Sequence, residues 1–473
     1  MKVRSQHYLA ATRAAVRNAQ LQAAVAVSAT NSDSKRLETM YAFGWLHGEQ
    51  MRQQAAKAKR RALRNLPELL DRAEATMQAN GFHVLWAEDA PAACRLVLDI
   101  ARERGVKRVV KGKSMLSEEV ELNQALEGAG LEVFETDLGE YIVQIAHEPP
   151  SHIVGPALHM SKDQIRDLFV RELSMPFTDS AEEMTQFVRQ RLRQAFLQAE
   201  MGISGGNFII AETGTLCLAT NEGNGRMATS LPPIHVALVG IEKVVETFDD
   251  YATLAQILAR SSTGQTVTVY NHLIQGPRRS GEEDGPDEVF VILVDNGRSS
   301  IYGTDYAEVL ACLRCGACLN TCPVYRTTGG HAYGSVYSGP IGAVVTPLLA
   351  GLENASPLPF ASSLCGKCKD VCPVDIDLPR MLLDLRHDAV QAGYSPALWG
   401  VGMRGWALAS RFPRLFALGG RLVRWGIRLL PRRLPLPGPL GGWTRYRDLP
   451  PAGPKSFRQM WHERQDRSSH ESP

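Results

Sequence analysis

Through about residue 78 the apolar positions recur among long Ala, Arg, Gln and Leu stretches such as "EQMRQQAAKAKRRALRNLPELLDRAEATMQ", a pattern that predicts helices. The period then changes. A short apolar run at 82–87, in "GFHVLWAE", is followed by Asp89 as an N-cap and by a helix-period segment through Arg104. Gly105 stops that segment and "KRVVK" begins the next strand, so a βαβ unit and a parallel sheet are expected. The runs "LEVFET", "NFIIA", "TLCLAT", "IHVALVG" and "EVFVILVDN" carry the buried-strand signal to about 295. Beyond 303 it ends. A cysteine-rich stretch with a Gly- and Pro-punctuated insert runs to 385, then a basic, Trp-containing stretch, then a polar tail from 448. The expected organisation is a helical region at 1–78, an α/β domain at 79–302, a cysteine-rich domain at 303–385 and an Arg/Trp-rich region at 386–473.

Composition changes this picture little. The chain has 473 residues and a formal net charge of +2, ordinary for a soluble globular protein with a sizeable core. No run of about 18 apolar residues predicts a membrane span. Residues 1–32 lack Asp and Glu but hold Arg4, Arg13 and Arg17, faintly like an organellar transit peptide; the mixing of apolar and polar positions favours an amphipathic helix. No h-region follows, and a cytoplasmic protein is expected.

The cysteines change it greatly. Seven of nine lie between 312 and 372, while Cys94 and Cys217 sit alone in apolar segments. A dense cluster in a chain without a secretory signal points to a metal site in a reducing compartment. "CLRCGACLNTCPVY" gives Cys312, Cys315, Cys318, Cys322 and Pro323, the C-x2-C-x2-C-x3-C-P run of a [4Fe–4S] protein. Zinc usually takes two well-separated pairs. "ASSLCGKCKDVCPV" repeats the run with Cys365, Cys368 and Cys372, but carries Ser362 where a cysteine would stand. Crossing the fourth cysteines assigns Cys312, Cys315, Cys318 and Cys372 to one cluster and Cys322, Cys365 and Cys368 to a second. Three outcomes are open at the second site: oxygen ligation by Ser362 or Ser363, water or an outside ligand on the fourth iron, or loss of that iron to leave [3Fe–4S]. The 42 residues between Cys322 and Cys365 exceed the spacer of small bacterial ferredoxins, and the arrangement is similar to the helical ferredoxin type of the succinate dehydrogenase iron–sulfur subunit.

"GNGRMA" (Gly223, Gly225, Ala228) satisfies G-x-G-x-x-A, but Pro232 and Pro233 leave no room for the helix that a dinucleotide site needs, so a polar loop is expected. Polar residues at strand ends make a candidate pocket: Glu212, Thr213, Asn221, Glu222, Asn224 and Arg226, with Lys111 and Lys113 from an earlier strand. His235, Lys243, Asp137, Glu140, Gln144 and His152 belong to the same two sets. In the basic tail, Arg414, Arg421, Arg424 and Arg428 share a helical face after Pro413, beside Leu415, Leu418, Leu422 and Trp425. Such a helix lies on an anionic membrane face, docks on an acidic partner or packs on its own domain. No recognised nucleic-acid fold accompanies it, and nucleic acid is set aside as a partner.

"DLGEYIVQIAHEPPSHIVGPALH", "AETGTLCLATNEGNGR", "GIEKVV", "VDNGRS", "CLRCGACLNTCPVYR", "GGHAYGSVYSGPIGAV" and "ASSLCGKCKDVCPVDID", in this order over roughly 40–385, closely resemble the lactate utilization B family. The resemblance implies a lactate-utilization domain similar to sugar-phosphate isomerase and coenzyme A transferase domains, then a ferredoxin-type domain. It also implies oxidation of L-lactate to pyruvate with two partner proteins, one of them a cysteine-rich redox protein. Ser362 lies in the matching "SSLCG" string and so looks like a family feature. No nicotinamide or flavin motif accompanies these residues, so the expectation is an electron-transferring subunit whose two-electron chemistry is shared with a partner. The alternative is a ligand-binding or group-transfer α/β module whose clusters sense redox state or serve structure.

Overall fold

Helices Tyr8–Arg17, Ala19–Met40, Trp45–Arg64 and Leu66–Ala79 open the computed structural model, which describes residues 1–394, 397–429 and 450–470. Asn18 breaks the first from the second, and its side chain accepts from Leu21 N at 3.0 Å as an N-cap. The segment just before them is held by residues far along the chain. Arg4 N donates to Gly334 O (2.7 Å), Ser5 Oγ to Tyr333 O (2.9 Å) and Gln6 Nε2 to Glu353 O (2.8 Å).

Ten strands follow among the described residues: β1 (His83–Ala87), β2 (Arg108–Lys111), β3 (Glu132–Glu135), β4 (Met201–Ser204), β5 (Phe208–Ile210), β6 (Thr215–Thr220), β7 (Ile234–Gly240), β8 (Val244–Val245), β9 (Tyr270–Ile274) and β10 (Glu288–Val294). Six form a sheet of order β1-β10-β7-β4-β2-β3, parallel throughout, with Phe290 opposite both His83 and Val236. Its central strands β7 and β10 are almost wholly buried, as their unbroken Val, Ile and Leu runs require. Asp89 caps Ala90–Glu103 by accepting from Ala92 N at 2.7 Å, the cap that the sequence predicts.

Parallel and mixed sheets are both present. The runs "NFIIA" and "TLCLAT" leave the parallel sheet and form a second one, of order β8-β5-β6-β9. The reason is the turn between them: Gly214 has φ +63°, and four residues reverse the chain into an antiparallel pair, whereas parallel pairing needs a crossover of a dozen or more. The structure also corrects the reading of "GNGRMA" as a loop, since Asn224–Ser230 is a helix of seven residues. It lies so close on β4 that a Cβ at Gly202 would sit 1.7 Å from Ala228 O. Tertiary contact and a glycine opposite, not local propensity, make room for it.

Helix Trp45–Arg64 ties the sheets to the cysteine-rich part. Lys59 Nζ donates to Glu242 O (2.7 Å), Arg61 pairs with Glu246 and Asp250, and Arg60 reaches Glu308. Residues 1–392 form one compact unit, ending in helix Leu378–Gln391, and 393–473 group as a second. In that second unit, helices Ala397–Arg411, Pro413–Leu429 and Phe457–His470 are described, and no residue of Pro413–Leu429 is buried. The part of the Arg/Trp-rich stretch at 430–449 lies outside the described residues. Among the described residues no helix is long and apolar enough to cross a membrane.

Candidate functional site

The two cysteine runs are two copies of one loop. In the first, a 3-10 turn at Ala307–Ala311 delivers Cys312, the backbone turns left-handed at Arg314 (φ +59°) and Gly316 (φ +78°), and helix Ala317–Thr321 carries Cys318. In the second, Leu364 (φ +54°) and Gly366 (φ +83°) make the same turns, and Lys367–Asp370 carries Cys368. Pro323 starts the helix after Cys322, where its missing N–H costs nothing. Positive φ at a bulky Arg and Leu is uncommon and concentrates where a site constrains the chain. The correspondence extends to the first donor. Arg314 N donates to Cys312 Sγ at 3.4 Å, and Leu364 N donates to Ser362 Oγ at 3.1 Å. The serine hydroxyl therefore occupies the position of the cysteine sulfur.

Packing brings the cysteines together in the crossed sets. Cys312, Cys315, Cys318 and Cys372 line one small cavity walled by Ile341, Ile376 and Leu378. Cys322 and Cys365 lie near enough to Cys368 to raise its pKa, and Cys365 near enough to Cys322 to do the same. Cys318 feels both Cys372 and Cys368, so it stands where the two sets meet. Burial pushes the thiols of Cys315 and Cys368 up to about 12 and that of Cys372 to about 11. Such thiols stay protonated until a metal displaces the proton.

The donor set fits a cluster better than a single ion. Tetrahedral zinc with Zn–S near 2.3 Å draws its thiolates to about 3.8 Å of one another. Among the described residues, the group of three ligand atoms drawn within 4.8 Å is Glu148, His159 and His331, and no three cysteine sulfurs approach so closely. Backbone N–H groups point at sulfur, as Ile376 N does at Cys372 Sγ (3.3 Å). Basic side chains bond the backbone of the first set, Arg52 while also paired with Glu49. Arg52 donates twice to Cys372 O (2.9 and 3.1 Å), and Lys243 Nζ donates to Cys312 O (3.2 Å). Lys59 is buried, which lowers its pKa to about 7, with the charge of Lys243 adding to the effect. The second set is nearer water, with Cys365 exposed and Arg386 bonded to Ser362 O (2.9 Å).

Beyond the carboxyl ends of β2, β4 and β7 lies a cavity of about 380 Å³, and the first cysteine loop forms part of its wall through Leu313 and Arg314. Of the eight pocket residues expected from sequence, Lys113, Asn221, Glu222 and Asn224 line it. The other four do not. Lys111 is fully buried between Glu135 (2.7 Å) and Glu118 (3.1 Å). Glu212 accepts from Phe248 N at the start of the next helix, and Thr213 bonds Thr215. Arg226 is exposed on its short helix, outside the lining. Asp137 and Lys243 do line the cavity. His235 is buried against Ser204 (2.8 Å), His152 against Asn320 (3.2 Å), and Gln144 returns to β3 through Val133 O (2.9 Å). Glu140 is buried, which raises its pKa to about 8 together with the neighbouring charge of Glu135.

Sequence reasoning missed the strongest polar feature of this wall. Arg298 is clamped by Glu119 (2.8 Å) and Glu242 (2.7 Å), and Tyr337 donates to the same Glu119 (2.5 Å). Burial alone would raise the pKa of Glu242, but Arg298 and Lys243 bring it down to about 2. The signal was present: Glu242 and Arg298 each follow an apolar strand within a couple of residues of glycine, in "VGIEK" and "VDNGRS".

Three family models match the chain: a LUD domain at 70–294, a 4Fe-4S dicluster domain at 308–376 and the C-terminal domain of lactate utilisation protein B at 389–466. Lactate utilization protein B of Bacillus licheniformis is 41% identical over 98% of both chains, and that of Bacillus subtilis 40% identical over 98% of both. An uncharacterized electron transport protein of Escherichia coli, YkgF, is 42% identical over 89% of both. A crystal structure of a DUF162 family protein from Deinococcus radiodurans covers 48% of this chain and 98% of its own, at 17% identity and a TM-score of 0.27.

Proposed function

This chain belongs to the lactate utilization protein B family, whose part in lactate utilisation is iron–sulfur electron transfer, and we propose that it is the electron-transferring subunit of a system that oxidises L-lactate to pyruvate. Two clusters are proposed. Cys312, Cys315, Cys318 and Cys372 would hold a [4Fe–4S] cluster, and Cys322, Cys365 and Cys368, with Ser362 at the fourth corner, a second. When bound, such clusters supply one-electron transfer. The observation that carries the reading is the duplicated loop, with its crossed cysteine sets meeting at Cys318 and Cys368. The residues of the chain bury Cys315 and Cys372, leave Cys312 and Cys318 half-buried, and set Arg52 and Lys243 on the carbonyls of Cys372 and Cys312.

The proposed partners are two other lactate-utilization proteins, one of them a cysteine-rich redox protein that shares the two-electron step. The exposed helix Pro413–Leu429, with Arg421 and Arg428 beside Leu422 and Trp425, has the composition of a surface that lies on an anionic membrane face.

EPR on anaerobically purified protein, with iron and sulfide counted per chain, tests this. About eight irons and two interacting reduced signals are the expected result. About seven irons with an oxidised [3Fe–4S] signal would show that position 362 supplies no ligand, and zinc without an EPR signal would sink the proposal.

A further inference from the structure

The cavity beyond the strand ends has a wall that the iron–sulfur reading does not use. Arg314 belongs to the first cysteine loop, yet its side chain lines the cavity. Its guanidinium lies 4.3 Å from the centre of the Tyr337 ring, and its Nη1 is buried with no hydrogen-bond partner. Among the described residues no carboxylate comes within 4.0 Å of it. Lys113, in the same lining, also pairs with no carboxylate and donates to Val154 O. Lys243 approaches Glu242 only at 4.0 Å.

The neighbouring arginine behaves in the opposite way. Arg298 has two carboxylates at hydrogen-bond distance, so the fold is able to pair a buried cation here and leaves Arg314 without one. Nη1 itself has no surface open to the cavity, but a guanidinium that lines it without a carboxylate partner is costly to bury, and an anionic ligand against its open side supplies the missing charge. The cavity volume of about 380 Å³ falls within the usual range of small-molecule sites. Its position beyond the carboxyl ends of parallel strands is where α/β sheets take their ligands.

We propose that this cavity binds a small 2-hydroxy- or 2-oxo-carboxylate, with the carboxylate seated on Arg314 and with Lys243 and Lys113 adding positive charge. The proposal rests on the reading of lactate oxidation given above. It places the ligand against the loop that carries Cys312, so the electron-transfer subunit also holds the acid that is oxidised or its product. The competing explanation is that these cations only offset the charge of the cysteine-bound group beside them.

Anaerobic isothermal titration of the full, cluster-loaded chain separates the two. The probes are L-lactate, pyruvate and oxamate, with acetate and inorganic phosphate as comparisons, and EPR is recorded on the same samples. The 2-oxygenated acids are expected to bind saturably at one per chain. Arg314→Gln should weaken them about tenfold to a hundredfold, as loss of a charged hydrogen bond does, and Arg314→Lys should restore part. Lys113→Gln, remote from the cysteines in sequence, should weaken binding with the EPR signals unchanged, and it carries the test if Arg314→Gln loses its clusters. Unchanged affinity in a cluster-loaded Arg314→Gln, or in Lys113→Gln where that variant carries the test, would overturn the proposal. So would binding of phosphate alone, or no saturable binding by any carboxylate in a chain with both EPR signals; that last result leaves the electron-transfer reading standing. Carboxylate binding in a chain without iron–sulfur signals would do the reverse.

Discussion

The two cysteine loops share a backbone and differ in almost everything around it. Left-handed turns fall at Arg314 and Gly316 in one and at Leu364 and Gly366 in the other, and each loop has an N–H aimed at its first donor. That donor is sulfur in the first and oxygen in the second. The first loop is faced by Arg52, Lys59 and Lys243, whereas the second has Cys365 exposed. Local sequence therefore dictates the shape of each cradle, while elements 69 to 320 residues away set its electrostatics. The two copies should accordingly fail in different ways.

The largest effect is expected from Cys318→Ala. It removes a half-buried member of the set that includes Cys372 and should cut bound iron by about half, with a clear fall in thermal stability because ligand binding and folding are coupled. Iron analysis and a melting curve check this; full iron with an unchanged curve would contradict the crossed assignment. Position 362 gives the sharper comparison. Ser362→Cys should make the second loop behave like the first, holding about eight irons after exposure to air, and Ser362→Ala should fall to about seven with a [3Fe–4S] signal. Equal iron in both variants would mean that the hydroxyl is a hydrogen-bond acceptor and nothing more.

A smaller change should follow from Arg52→Gln. Arg52 is anchored by two hydrogen bonds on Cys372 O and is about a tenth exposed, so losing its charge should lower the first cluster's reduction potential by about 20–60 mV. Redox titration should show the second cluster unmoved. A further test lies outside both loops. Glu140 has a folded pKa of about 8, above its unfolded value, because burial and then the charge of Glu135 disfavour the carboxylate. Between about pH 4.5 and 8 the unfolded chain has released this proton and the folded chain keeps it, so this residue makes stability fall as pH rises. Glu140→Gln should flatten that slope in denaturant titrations at pH 5 and pH 8; an unchanged slope would show that another group carries it.

Much of this was legible in the sequence, and the exceptions have physical causes. Strands β7 and β10 are read from their own apolar runs, because strands buried on both faces leave a local signal, and the shorter β1, β2 and β3 are read from apolar runs bounded by turn and helix signals. Strand β4 was not read, since "MGIS" is four residues long and includes a glycine. Its glycine is needed by the helix Asn224–Ser230 lying on it, and only that tertiary contact reveals the requirement. The cysteines announce themselves by spacing. The pocket was half legible, because proximity to a strand end does not tell whether a side chain faces the cavity: Lys113 does, while Lys111 is consumed by Glu135 and Glu118. Arg298 and Glu242 meet across more than fifty residues and were invisible as a pair.

The tie between Arg4–Gln6 and residues 333–353 also bears on how the protein is made. A Cβ at Gly334 would stand 2.7 Å from the carbonyl carbon of Arg4, so this early segment has its docking surface only once the chain beyond 353 exists. At about 5–20 residues per second, the first helices leave the ribosome roughly 20–70 s before the residues that receive them. During that interval Tyr8, whose ring meets that of Tyr333, lacks its native cover.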